Sequence, residues 1–119
     1  MVMEAEQTPL EADVLKEMAA AFDSKFFKTL SEPVRFEILK FIMTNGRSDI
    51  GTIADNMPQD RSVISRHLTL MQDVGILTSE KENRHMYYEI NGQTIIDKLK
   101  NITELIRKCM SECCPTCLE

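Results

Sequence analysis

Four cysteines lie close together near the end of the sequence, at Cys109, Cys113, Cys114 and Cys117. A random arrangement would rarely place all four in so short a stretch, so this C-x3-C-C-x2-C segment is a candidate ligand site. Three thiolates suit the pyramidal coordination of As(III) or Sb(III), whereas four could hold Zn²⁺, Cd²⁺, Cu(I) or an iron–sulfur cluster. The simpler interpretation is a frayed tail with surface thiols.

The backbone expected around these cysteines indicates which of them can act together. Cys109 and Cys113 fall one turn apart at the end of a predicted helix. Pro115 then stops the helix, which frees Cys114 and Cys117 to fold back. We therefore expect Cys109, Cys113 and Cys114 to form a three-sulfur site, and Cys117 to be required only by a four-thiolate metal.

A second segment with functional character is a helix predicted between Pro58 and Gly75. Pro58 blocks helix continuation from upstream, Asp60 can cap the new helix, and Gly75 can adopt the left-handed conformation that ends one. Apolar residues recur at three- and four-residue steps, which indicates one buried face. The residues predicted to share that face are Val63, Ile64, His67, Leu68, Met71 and Val74.

The opposite face of this helix carries Arg61, Ser62, Ser65, Arg66 and Thr69. An ordinary surface helix would usually present Glu and Lys at such positions. Short hydroxyl side chains beside two arginines suit a surface that approaches base edges and phosphates closely. The sequence thus favours a DNA-recognition helix, with an ordinary amphipathic surface helix as the alternative.

The neighbouring segments complete a recognisable pattern. Residues 48–56 predict a short helix capped by Ser48, joined to the recognition helix by about four residues, as in a helix-turn-helix. Residues 76–82 and 85–90 are extended runs around the turn residues Asn83-Arg84, and apolar positions alternate in the second run. The order helix, turn, helix, hairpin predicts a winged helix. Its hairpin adds three candidate DNA contacts: Lys81, Arg84 and His85.

Two further helices flank this core. Residues 10–22 and 93–109 both have helical apolar periodicity, and a third helix is expected to begin at Pro33 and to end at Asn45-Gly46. The last helix carries an apolar stripe that we expect to pair with a second copy across a two-fold axis. Packing inside one subunit is the alternative. The stripe consists of Ile95, Ile96, Leu99, Ile102, Leu105 and Ile106.

Two residues on these helices have simpler interpretations than a functional one. Arg35 lies among apolar positions and is expected to hold helices together, as a snorkelling or salt-bridged side chain. His67 is expected to be a hydrogen-bonded core residue, and two isolated histidines do not make a zinc site. No nucleophile–base pair, phosphate loop or catalytic carboxylate pair is evident, so we do not expect an enzyme.

Length and charge bound the remaining possibilities. The 119 residues suit one compact domain, and dimerisation is an expected source of further stability. The net charge of −5 opposes DNA binding, but residues 1–32 hold seven acids and three bases and so carry −4 of it. No signal peptide or membrane span is predicted, so we expect a cytoplasmic protein with reduced thiols.

Three segments together resemble the ArsR/SmtB family of small repressors. They are residues 30–39 (LSEPVRFEIL), residues 63–68 (VISRHL), and Gly75-Ile76-Leu77 followed by residues 84–88 (RHMYY). The resemblance covers about residues 20 to 108 and implies a homodimeric winged helix-turn-helix protein that binds operator DNA. It also implies that the N-terminal helix contributes to the dimer interface.

This sequence departs from both familiar ligand sites of the family. The arsenic site places cysteines at the start of the first helix of the helix-turn-helix, where residues 46–50 here contain no thiol. The zinc site uses Asp and His residues of the last helix, which here contains no His. Neither site is carried over, so metalloid sensing at this chain's C-terminus is the expectation.

The sequence predicts a mostly α protein with a small β-hairpin, organised as a flexible arm (residues 1–10), a winged helix-turn-helix dimer domain (11–108) and a cysteine-rich tail (109–119). We expect a repressor that binds a palindromic operator and leaves it when As(III) or Sb(III) binds the tail thiolates. Alternatives are a thiol redox sensor, a Zn²⁺ or Cd²⁺ sensor, and a cytosolic metal-binding protein that does not bind DNA.

Overall fold

The computed structural model describes residues 9–113, with side chains for residues 12–112. Residues 25–96 form one compact unit, and the described residues before 25 and after 96 form another. Residues 1–8 of the predicted arm and residues 114–119 of the predicted tail lie outside the described residues, whereas Pro9 and Leu10, which the prediction assigned to the arm, already belong to the first helix. The elements are α1 (Pro9–Phe22), α2 (Lys25–Leu30), α3 (Pro33–Asn45), β1 (Ser48–Asp49), α4 (Ile50–Asp55), α5 (Arg61–Asp73), β2 (Leu77–Glu82), β3 (His85–Ile90) and α6 (Gly92–Cys113).

One hydrophobic core holds the larger unit together. The helix α5 contributes Ile64, Leu68 and Met71, whose side chains are fully buried. The predicted buried face was too wide, because Val63, His67 and Val74 are only half-buried. The remaining members of the core come from α2, α3, α4, the loop before β2, and the sheet: Phe26, Ile38, Leu39, Ile42, Ile53, Ile76, Leu77 and Tyr88.

The first helix of the helix-turn-helix begins later than predicted. Ser48 is not its cap; it is buried in the short strand β1, where it pairs with Tyr88 of β3. Asp49 is the cap instead, and its carboxylate accepts from the backbone N–H of Thr52 at 3.3 Å. The sequence prediction was wrong here because a pairing with a distant strand fixes Ser48 in an extended conformation.

Both ends of α5 lie where the sequence places them. Asp60 occupies the N-cap position with extended backbone, but its side chain makes no capping hydrogen bond, so that part of the prediction is wrong. At the other end Val74 is the C-cap and Gly75 has φ +86°, the left-handed conformation expected of a stop residue. The helix α5 therefore ends at Asp73, and the strand β2 begins at Leu77, shortly after this stop.

The wing is an antiparallel hairpin with β1 added at its edge, in the order β1-β3-β2. Leu77 pairs with Ile90 and Glu82 with His85, and Asn83 takes φ +59° in the two-residue turn. This confirms the predicted hairpin around Asn83-Arg84. With α4 and α5 before it, it also confirms the mostly α, winged helix-turn-helix fold.

Arg35 connects three helices, as expected from its place among apolar residues. It lies in the first turn of α3, and its Nε donates to Nδ1 of His67 on α5 at 3.1 Å. Its Nη1 donates to the carbonyl of Thr29 on α2 at 3.3 Å. Neither acceptor is a carboxylate, so hydrogen bonds and not a salt bridge hold these helices together. His67 is accordingly the hydrogen-bonded residue that the sequence predicts.

The smaller unit contains α1 and the part of α6 from Asp97 onward. Within it the predicted apolar stripe divides into two parts. Ile102 and Leu105 are buried within the single chain, with 7% and 8% of their surfaces exposed, whereas Leu99 is 50% exposed. Packing inside one subunit therefore accounts for part of the stripe, and Leu99 and Ile106 remain open to solvent.

None of the helices in the described part of the chain has the length and apolar character that crossing a bilayer requires.

Replacement of Gly75 by alanine should destabilise the fold. The left-handed φ of Gly75 disfavours any L-residue by roughly 1–2 kcal/mol, and an added Cβ would lie only 3.0 Å from Cγ2 of Thr94. Chemical denaturation should therefore show a lower free energy of unfolding for Gly75→Ala. Gly92→Ala is the matched control, because nothing lies within 4 Å of its Cβ position and its φ is not positive. Equal stability of the two variants would contradict the assigned role of Gly75.

Candidate nucleic-acid interface

The outer face of α5 presents a continuous polar surface. Arg61, Ser62, Arg66 and Thr69 are exposed, as predicted, while Ser65 is half-buried. The hydroxyl of Thr69 donates to the carbonyl of Ser65 at 3.0 Å, one turn earlier in the helix. Ser65 is thus partly covered, and Thr69 is bonded to the helix backbone. Ser62 and Arg66 are exposed, so both can reach a ligand.

Arg61 lies in a group that joins the start of α5 to the wing. A Cβ on Gly51 would lie 3.6 Å from Nη1 of Arg61 and 3.5 Å from Oδ2 of Asp49. The same Asp49 oxygen is 3.4 Å from Nδ1 of His85 in β3. Asp49 is thus placed near two of the predicted DNA contacts, where its carboxylate reduces the attraction of this region for phosphate.

Asp49 remains ionised under ordinary conditions because Thr52 stabilises its charged form. Its Oδ1 accepts a short hydrogen bond from the Thr52 hydroxyl as well as the backbone bond that caps α4. The hydroxyl bond is the largest cause that lowers the pKa of the Asp49 carboxyl. This residue was not predicted from sequence, although an acidic residue before Thr52 is a recognisable capping signal.

A second group that the sequence did not reveal lies on the outer face of the wing. The Arg47 guanidinium bonds Glu80 at 3.2 Å and Glu82 at 2.7 Å, and it stacks 4.0 Å above the Tyr87 ring. The bond to Glu82 is the main cause that raises the pKa of Arg47. Two carboxylates surround this one cation, so the outer face of the wing gives little attraction to phosphate. No sequence signal links Arg47 to residues more than 30 positions away.

The three predicted wing contacts do not form one surface. Glu82 pairs with His85 and Lys81 pairs with Met86, so Lys81 and His85 project from opposite faces of the hairpin. Arg84 follows Asn83 in the turn and is exposed, as are Lys81 and His85. Arg84 therefore lies at the tip of the wing, where a groove-inserted hairpin would meet the phosphate backbone.

The cysteine site is described only in part. Cys109 is a half-buried free thiol of α6, and the backbone of α6 continues to Cys113, one turn later. Cys114 and Cys117 lie outside the described residues. Among the residues with described side chains, no group of three or more His, Cys, Asp or Glu is arranged to hold a metal ion.

Known proteins resemble this chain in sequence and in structure. No protein-family model matches the sequence. It is 30% identical over 83 residues to an uncharacterized HTH-type transcriptional regulator of Methanocaldococcus jannaschii, covering 70% of this chain and 89% of that protein. It is 24% identical over 79 residues to the arsenical resistance operon repressor of Bacillus subtilis, covering 66% of this chain and 74% of that protein.

A solved structure agrees with the fold. The homodimeric winged helix-turn-helix domain of a possible ArsR-family regulator from Mycobacterium bovis superposes with a TM-score of 0.56 at 21% identity, over 87% of this chain and 89% of that one. At this level of identity the comparison supports the winged helix-turn-helix fold and nothing more specific. The archaeal relative at 30% identity, together with the arsenical resistance repressor and the winged helix described above, places this chain in the ArsR family of winged helix-turn-helix transcriptional regulators.

Proposed function

We propose that this regulator is a homodimeric repressor of a palindromic operator and that As(III) or Sb(III), bound by its C-terminal thiolates, releases it from DNA. One observation carries the DNA part of the proposal. The helix α5 buries a narrow apolar ridge and exposes Ser62 and Arg66 on the other side, while Arg61 is exposed at its first residue. In a helix-turn-helix that side enters the major groove, where arginine can bond guanine O6 and N7.

A dimer accounts for both the expected operator and the exposed apolar residues. Two copies related by a two-fold axis would place their recognition helices in successive major grooves, with half-sites about one helical turn apart. Leu99 and Ile106 lie seven positions apart on α6, so they share one side of the helix, and both are exposed. The homodimeric neighbour from Mycobacterium bovis supports this assembly.

Soft sulfur ligands support the choice of inducer. Cys109 and Cys113 lie one turn apart in α6, and Cys114 follows directly. Three thiolates together would satisfy a thiophilic, three-coordinate ion such as As(III) or Sb(III). The relative from Bacillus subtilis is named for arsenical resistance, which supports the same chemistry. The positions differ from the family's familiar thiol site, because residues 46–50 contain no cysteine.

Release requires only modest coupling between the thiols and the operator. Closing the thiolates around one ion would change the end of α6 and, through the dimer interface, the separation of the two recognition helices. A coupling of about 2.7 kcal/mol would weaken operator binding roughly a hundredfold, which is within the ordinary range of allosteric effects. Reduced thiols and DNA both point to the cytoplasm as the place of action.

Other reactions or ligands of the same thiols would make the protein a regulator that responds to a different signal. Oxidation could pair the neighbouring cysteines, which would make the protein a redox sensor. Four thiolates could instead hold Zn²⁺ or Cd²⁺. A metal-binding protein that does not bind DNA is disfavoured by membership of a family of transcriptional regulators.

Arg66→Ala should weaken operator binding without unfolding the protein. A groove-facing arginine that bonds a base contributes roughly 1–3 kcal/mol, and Arg66 is exposed, so its removal leaves the core intact. Fluorescence anisotropy with an operator selected from random duplexes would measure the loss. Arg107→Ala is the control, because Arg107 is an exposed helical arginine whose partner among the described residues is Glu104, at 3.4 Å. Unchanged affinity in folded Arg66→Ala would remove Arg66 from the interface.

Leu99→Glu should dissociate the dimer while each subunit stays folded. Leu99 is half exposed in the single chain, so a carboxylate there is tolerated in the monomer but would be buried at the proposed interface. Sedimentation equilibrium should show a dimer dissociation constant raised by more than a hundredfold. Asn101→Glu makes the same charge change two positions along, at an exposed residue on another side of α6. If the Leu99 variant dimerises as tightly as this control, the interface lies elsewhere.

Replacing Cys113 and Cys114 by serine should preserve operator binding and abolish release by As(III) or Sb(III). The cysteines lie outside the helix-turn-helix, and the double variant retains at most two of the four thiols. Anisotropy titrations of the operator complex with As(III), Sb(III), Cd²⁺, Zn²⁺ and peroxide would identify the input. Cys117→Ser serves as a comparison, since it should still respond to As(III) but would lose a four-thiolate metal. A full As(III) response in the double variant would falsify this site.

A further inference from the structure

The polar contacts of α5 with the rest of its unit include one directional bond between side chains. Nε of Arg35 on α3 donates to Nδ1 of His67 at 3.1 Å, and the same guanidinium donates to the Thr29 carbonyl on α2 at 3.3 Å. Thr29 is buried, and Arg35 and His67 are both half-buried. The two bonds fix the plane of the guanidinium group, so they hold His67 at a defined position relative to α2 and α3.

This bond lies where it can control the rotation of α5 about its own axis. Ile64, Leu68 and Met71 recur at four- and three-residue steps and form one narrow ridge. Burial of such a ridge is favourable but non-directional, so it specifies the rotation angle of the helix less sharply than a hydrogen bond does. His67 lies to one side of the ridge, roughly 60° around the helix from Ile64 at 3.6 residues per turn. A hydrogen bond there depends on angle and so restricts rolling.

Small rotations of α5 matter at its outer surface. Arg66 lies on the side of the helix opposite the ridge, at a radius of about 6 Å including its side chain. A roll of about 20° would therefore displace its end by about 2 Å, which exceeds the tolerance of a hydrogen bond to a base edge. Attraction to phosphates is long-ranged and would change little.

We propose that Arg35 and His67 are positioning residues whose bond fixes the rotation of α5, and that this bond sets discrimination between operator and unrelated DNA. The inference rests on the proposed function, in which α5 reads the major groove. A positioning role and a purely structural role predict different changes in DNA binding. Loss of stability would lower binding to every duplex through the folded fraction, whereas misrotation lowers binding only where base contacts are made.

The chemistry of the bond gives well-matched substitutions. Because Nδ1 accepts, the His67 ring carries its proton on Nε2. The Oδ1 atom of asparagine is the same number of bonds from the backbone as Nδ1, so His67→Asn keeps an acceptor in place. His67→Phe keeps the ring and removes the acceptor, and these three residues have similar helix propensities. His67→Gln moves the acceptor one bond outward.

The partner and the control both come from α3. Arg35→Met removes the donor while keeping an apolar stem. Lys40→Met makes the same kind of change on the same helix, at an exposed side chain that pairs with Glu37 at 2.9 Å. Any general effect of removing a cation from α3 should appear in both variants.

The experiment measures dissociation constants for operator and for an unrelated duplex of equal length, at one salt concentration and well below each variant's melting temperature. We expect Arg35→Met and His67→Phe to lower the ratio of operator to unrelated affinity about tenfold, with binding to the unrelated duplex within about twofold of wild type. The double variant should be no worse than either single one. His67→Asn and Lys40→Met should keep the wild-type ratio.

Two results would overturn the inference: an unchanged ratio in folded Arg35→Met and His67→Phe, or an equal loss on both duplexes. If those variants do not fold, the comparison of His67→Asn with His67→Gln decides, because the inference requires a lower ratio only for His67→Gln. Equal ratios for these two would also overturn it. A wild-type protein that does not discriminate between duplexes would instead refute the proposed function, so the two failures are distinguishable.

Discussion

Burial of Ile64, Leu68 and Met71 keeps α5 in place, and the rest of the candidate interface depends on it. Each such side chain contributes roughly 1.5–3 kcal/mol when fully buried, so three of them supply a modest total for a helix of thirteen residues. The helix has few apolar residues to spare because its other side must stay polar. The same thirteen residues must therefore supply both the buried contacts that stabilise α5 and its exposed polar side.

Local chemistry made much of the fold predictable. Gly75 marks the end of α5, Pro33 the start of α3, and Asn83-Arg84 the turn of the wing, because each residue type suits the backbone conformation found there. The α5 face was predictable from residue spacing. Its burial was overestimated at Val63 and Val74, since periodicity gives direction but not the width of the contact.

Features that depend on distant contacts were not predictable. Ser48 suits a helix cap by type, yet its pairing with Tyr88 places it in a strand. Arg47 gives no local sign of its two carboxylate partners on β2. The hairpin register was implied by the turn, but its consequence for Lys81 and His85 required both strands to be placed. The sequence thus named candidate DNA contacts one by one, but it could not predict how they and their acidic neighbours are arranged.

The outer face of the wing has a consequence for how the protein finds its site. Glu80, Glu82 and Glu89 all project from this face, because side chains alternate between the two faces along each strand. Arg47 bonds the first two of them. Proteins that slide far along DNA hold its phosphates with many cations. With carboxylates on this face and a net charge of −5, this chain should attract arbitrary DNA only weakly. Its search for an operator should therefore proceed by repeated short encounters from solution, with little one-dimensional travel along the chromosome.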